Sequence, residues 1–158
     1  LHIIGSALIA LAVVLMAAER LGRRQLDMQQ LSFWQIQGIG LCQALALIPG
    51  CSRSGSTIMG GLFVGLKRAE AARFSFLLGL PAIGASGLLE FLDLLEGGLG
   101  EEGLINIGVG IFAAAVSGYA SIGFLLRFLE RYGTDVFSLY RIGLGSLTLY
   151  GFSTGSTP

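Results

Sequence analysis

The chain has 158 residues with ten basic and ten acidic side chains, so its formal net charge is zero; 53% of the residues are hydrophobic and only 13% are charged. An ordinary soluble domain carries roughly 25% charged residues, and with a mean hydropathy of +0.76 this composition excludes that class and indicates a membrane protein.

Leu1 to Ala18 contains no Asp, Glu, Lys or Arg and is long enough to cross a hydrocarbon core of ~30 Å at about 1.5 Å per residue. It has neither a basic n-region nor a small-residue cleavage site, so it reads as a spanning helix rather than a signal peptide. Because the chain starts with Leu and not Met, it is expected to be part of a longer one.

Next comes an apolar arm from about Phe33 to Ile48, a break at Pro49-Gly50, the polar run SRSGST, and a second arm from about Thr57 to Leu66. Ten residues make about 15 Å of helix, too little to span. The segment of about 33–66 is therefore expected to be a re-entrant helix-loop-helix, a form lipid permits when its tip is buried in protein or lines a wet cavity.

Three further spanning helices are expected: Phe74 to about Leu95, kinked at Pro81; Leu104 to about Leu126; and Val136 to about Phe152. The whole is an all-α integral membrane protein, a multi-pass helical bundle forming a single transmembrane domain over 1–158. Its 25 glycines suit close helix packing in lipid. Cys42 and Cys51 lack metal or redox spacing and read as small apolar residues.

Eight of the ten basic residues fall in three segments: Arg20, Arg23 and Arg24; Lys67, Arg68 and Arg73; Arg127 and Arg131. The expected topology puts all three on one face, with EGGLGEEG from Glu96 to Gly103 on the other. The positive-inside rule makes the basic face cytoplasmic.

The last two arginines stand apart. Arg141, early in the last helix, is expected to snorkel to the nearby boundary. Arg53 has no such escape, and an ion at membrane depth costs at least about 2.5 kcal/mol, so it should face the bundle interior and have a partner.

No carboxylate occurs between Asp27 and Glu70, so an anionic ligand would complete Arg53. The loop offers what a phosphate needs: a guanidinium, hydroxyls on Ser52, Ser54, Ser56 and Thr57, and Gly50 and Gly55 to let backbone N–H groups close on oxygens. A helix starting near Ser56 would add its positive end. The bland alternative is a turn whose arginine pairs with a distant Glu90 or Asp93. A P-loop is excluded because Ser56, not Lys, follows Gly55, and a cysteine-phosphatase loop because Thr57 stands where its arginine would be.

The stretch QALALIPGCSRSGSTIMGGLFVGLKRAEAARFSFLLGLPAIGASG, Gln43 to Gly87, resembles the second signature region of the bacterial undecaprenyl-diphosphatase family, the bacitracin-resistance phosphatases. FSLYRIGLG, Phe137 to Gly145, is similar to that family's last helix. The resemblance implies a hydrolase of the bacterial inner membrane that removes one phosphate from undecaprenyl diphosphate, regenerating the lipid carrier of cell-wall synthesis. It also implies an inverted repeat of two re-entrant hairpins meeting at one site that opens to the outer face. By carry-over, Ser52, Arg53 and Thr57 are the catalytic contribution of the hairpin seen here, with Gly50, Ser54 and Gly55 shaping the phosphate-binding loop.

The family's other signature, an acidic EGxxEFLPxSSTGH segment, is not found in these residues. Its repeat-equivalent carboxylate positions are occupied by Cys42 and Ala46, and His2 lies in an unrelated context. The resemblance therefore implies a C-terminal portion whose missing half supplies the carboxylates and holds a divalent cation, Mg²⁺ or Ca²⁺, with no metal ligand from this segment. This portion by itself is expected to be inactive. Expected partners are undecaprenyl diphosphate, the lipid bilayer and the missing N-terminal half, with no nucleic acid; self-association into a homo-oligomer is compatible with the sequence. A lipid-phosphate transporter or flippase subunit, or a non-catalytic remnant, stays open as the alternative, since broken helices and a midplane arginine are also transporter architecture.

Overall fold

The structure, a computed structural model, describes residues 2–96 and 101–153. Six helices follow one another: α1 (His2–Leu21), α2 (Phe33–Ala44), α3 (Arg53–Val64), α4 (Arg68–Glu96), α5 (Glu101–Arg131) and α6 (Asp135–Ser153). Two short 3₁₀ turns, Met28–Gln30 and Leu45–Leu47, complete the regular structure, and no strand occurs among the described residues. Of the turn expected from Glu96 to Gly103, residues 97–100 lie outside the described residues, Glu96 ends α4 and α5 already begins at Glu101.

Among the described residues three helices are long and apolar enough to cross a membrane: α1, α4 and Ile105–Arg131 of α5. The expected fourth span is helical as α6 but is not among them. Arg141, two tyrosines and three serines dilute its apolar content. It instead packs antiparallel along α1, where a Cβ on Gly145 would lie 2.8 Å from Ile9 and one on Gly5 2.8 Å from Leu149. Small residues thus bring the two backbones together, as lipid-embedded helices require.

Between α1 and α4 the chain forms the helix-break-helix hairpin α2–α3. The start of α2 is fixed by a capping box in which Ser32 Oγ accepts from Gln35 N and Gln35 Oε1 accepts from Ser32 N. The arms run antiparallel: Thr57 meets Gln43, and a Cβ on Gly60 would strike Cys42 at 2.9 Å. Each arm has 12 residues, about 18 Å, which is short of a span.

The hairpin's depth follows from its contacts with α1. At one end Gly22 sits against the Leu62 carbonyl, and at the other Gly50 sits against that of Ile4. Gly65 ends α3 in the left-handed region (φ +104°), and its carbonyl accepts from Gln25 N and Leu26 N, while Lys67 N donates to Leu26 O. This backbone clasp pins the hairpin base beside the end of α1, so the tip must reach the far end.

The core is small: Leu11, Leu15, Ala18, Ile39, Met59, Leu62, Leu66 and Ala71 cluster between α1, the hairpin and the start of α4. Beyond residue 80 the described part of α4 is exposed throughout, and on α5 Phe112 is 71% and Phe124 70% exposed. Apolar side chains facing outward along long helices mark a protein whose solvent is lipid.

Candidate functional site

The hairpin tip is built by the residues that interrupt the helices. Pro49 cannot continue α2, and Gly50 turns the chain with φ +96°. Any Cβ there would lie 2.6 Å from the Ile4 carbonyl oxygen, so only glycine satisfies both the conformation and the close approach.

Ser52 then caps α3. Its Oγ accepts from Gly55 N at 3.2 Å and lies 3.2 Å from Ser54 Oγ. The helix begins at Arg53 rather than near Ser56, three residues earlier, because Ser52 supplies the cap. Its first-turn N–H groups consequently open at the tip without intrahelical acceptors.

Arg53 is half-buried and donates from Nη1 to the Gly79 carbonyl of α4 at 3.2 Å. Gly79 permits that approach, since a Cβ there would come within 2.7 Å of the same nitrogen. Glu90 and Asp93 stand exposed three to four turns further along α4, and no carboxylate among the described residues pairs with Arg53. The bland reading of a distant ion pair is not supported. The guanidinium borders an open cavity shared with Gly40, Gln43 and Ala46.

Arg141 is not at the boundary. Its guanidinium reaches the tip loop, donating from Nη2 to the Gly50 carbonyl at 3.0 Å, with Nη1 3.1 Å from where a Cβ on Gly55 would stand. Its buried Nε has no partner among the described residues. Antiparallel packing on α1 carries Arg141 inward, a placement that spacing from the helix start could not reveal. The available signal was that it is the only other arginine outside the three clusters.

The tip residues divide between two faces. Ser52, Ser54 and Gly55 share with Arg141 a largely apolar cavity of about 280 Å³ that continues past Ile58, Tyr140 and Phe137. Thr57 is fully buried on the other side, its Oγ1 2.9 Å from the Arg53 carbonyl and 3.3 Å from Gln43 Oε1. Its hydroxyl ties α3 to α2 and is not presented at the tip. Ser56, also fully buried, leaves its Oγ without a partner among the described residues, and Ser75 of α4 approaches the Ser54 carbonyl at 3.5 Å. Gln43, Ser75 and Gly79 were invisible to motif reading because they contribute by contact across helices.

A divalent cation does not fit these residues. Mg²⁺ and Ca²⁺ take oxygen ligands with carboxylates prominent among them; the tip offers hydroxyls and two guanidiniums, and the described residues contain no group of three or more His, Cys, Asp and Glu that could hold a metal.

Comparison with known proteins adds a lineage. The family described as "Bacitracin resistance protein BacA" matches residues 1–147. The chain is 49% identical over 152 residues to an undecaprenyl-diphosphatase of Trichodesmium erythraeum, covering 96% of this chain and 49% of that protein. It is 51% identical over 142 residues to one of Thermomicrobium roseum, covering 90% and 51%. A third, from Syntrophobacter fumaroxidans, is 43% identical over 150 residues, covering 95% and 53%. The chain spans about half the length of the curated relatives it matches.

Proposed function

Because the chain belongs to the bacitracin resistance protein BacA family, we propose that it is the phosphate-gripping part of an undecaprenyl-diphosphatase of the bacterial plasma membrane. The observation carrying this reading is that two arginines stand at one capped hairpin tip without a carboxylate partner among the described residues: Arg53, the first residue of α3, held on the Gly79 carbonyl of α4, and Arg141 of α6, held on the Gly50 carbonyl. Two cations beside open helix N–H groups suit a ligand with several anionic oxygens. Hydrolysis of undecaprenyl diphosphate breaks the terminal anhydride, consumes one water and releases phosphate and undecaprenyl phosphate. Negative charge gathers on the phosphoryl oxygens as that bond opens, and the two guanidiniums with the Ser52 and Ser54 hydroxyls would stabilise it.

The hairpin re-enters the bilayer from the cytoplasmic face, and its tip opens toward the outer face at the level of Ile4. The apolar cavity leading away from Ser52 and Arg141 suits the first prenyl units of the lipid. General acid/base groups and a divalent cation would come from an acidic segment outside these residues, because the tip from Pro49 to Thr57 contains no carboxylate or histidine.

The test is phosphate release from undecaprenyl diphosphate. The native full-length protein should release it, and the 158-residue chain alone should not exceed a no-protein control. Release by the chain alone that disappears in Arg53→Ala would overturn this division of labour.

A further inference from the structure

Two of the three basic segments, the one after α1 and the one at the start of α4, converge on a cavity at the end of the molecule away from the tip. It has a volume of about 540 Å³, and Arg23, Arg24, Lys67, Arg68 and Arg73 line it together with three carboxylates. Two of those are engaged: Asp27 by Lys67 at 2.7 Å, and Glu70 by Arg73 and by the backbone of Met28. The third, Glu130, is exposed on the rim.

Glu19 is buried beside the cavity. Its Oε1 accepts from both Arg24 and Arg68, and its Oε2 accepts from Thr134 Oγ1 at 2.8 Å. Two guanidiniums therefore share one carboxylate, and each keeps further N–H donors. Arg23 makes no ion pair among the described residues. The first turn of α4, with Ala69 and Glu70 on the cavity wall, adds the positive end of a 29-residue helix.

The cavity's position narrows its ligand. Its walls come from the loop after α1, the start of α4 and the end of α5, the points where the three candidate spans would leave the hydrocarbon. It lies about 27 Å along α1 from the tip, as the Gly22–Leu62 and Gly50–Ile4 contacts fix. At that depth the anions are phosphates of the bilayer surface.

We propose that this cavity is a second binding site, for an anionic phosphate group at the membrane surface opposite the tip, with Arg23, Arg24, Arg68 and Arg73 as its donors. It rests on the membrane embedding of the chain and not on the hydrolase reading. The site would anchor the base of the hairpin through a lipid headgroup or a free phosphate.

The experiment is thermal unfolding of the full-length protein in nanodiscs. Phosphatidylglycerol discs should raise Tm by about 3 °C or more over phosphatidylcholine discs. Arg23→Gln with Arg73→Gln, both exposed and clear of Glu19, should abolish the rise; Arg20→Gln with Arg131→Gln, off the cavity, should leave it. Inorganic phosphate producing the same variant-dependent rise in phosphatidylcholine discs would identify free phosphate as the occupant. No rise with either ligand, or equal loss in both variant pairs, overturns the proposal.

Discussion

At the level of single residues, the tip depends on glycines more than on its charged groups. Gly50 is the sharpest case, since a side chain there would be strained at φ +96° and would also strike the Ile4 backbone. Gly50→Ala should cost more than about 2 kcal/mol and displace the carbonyl that holds Arg141. Reduced membrane abundance with a lowered Tm is the expected outcome, and wild-type values for both would contradict the close approach. The polar residues of PGCSRSGST were legible as one local cluster at the hairpin break, because they adjoin in sequence. The placement of Thr57 away from the cavity of Ser52 and Ser54 was not, because its hydroxyl turns to the Arg53 carbonyl and to Gln43 of α2, a contact across helices that the motif does not encode.

Among the elements, the hairpin is held by its base. The Leu26–Gly65 clasp uses backbone groups, and the Glu19 cluster ties α1 to α4 and to the loop before α6. Glu19→Gln would leave Arg24 and Arg68 without a counterion. The two keep about a third of their side-chain surface in solvent, so the loss should be roughly 2 kcal/mol, below that of a fully buried pair. Measured as Tm, it should clearly exceed the effect of Lys67→Gln in the exposed Asp27 pair, and Glu19→Gln combined with Arg68→Gln should cost less than the two singles added. Equal effects of Glu19→Gln and Lys67→Gln would show that the cluster does not hold these elements together. Helix existence was legible from apolar run lengths. The cluster was not, because Glu19 and Thr134 are 115 residues apart and neither belongs to a motif.

For the whole molecule, the basic segments gather at one end, as their clustering along the sequence leads one to expect, and the candidate site sits at the other. Single cysteines at Arg23, Lys67 and Arg131 should therefore resist an impermeant thiol reagent in intact cells while one at Gly98 is labelled; labelling at Lys67 but not Arg23 would remove the re-entrant hairpin. What the sequence could not reveal was that α6 returns Arg141 to the tip, since that depends on which faces of α1 and α6 carry small residues. The central claim is that Arg53 grips phosphate. The direct measurement is turnover of undecaprenyl diphosphate by the full-length enzyme bearing Arg53→Lys or Arg53→Ala, normalised to protein in the membrane. A planar fork that lysine cannot reproduce predicts that both variants lose about 3 kcal/mol of transition-state stabilisation, on the order of a hundredfold in rate, at near-normal abundance. Substantial rescue by lysine, or activity falling only in proportion to abundance, would mean that the arginine serves the fold and that the phosphate is held elsewhere.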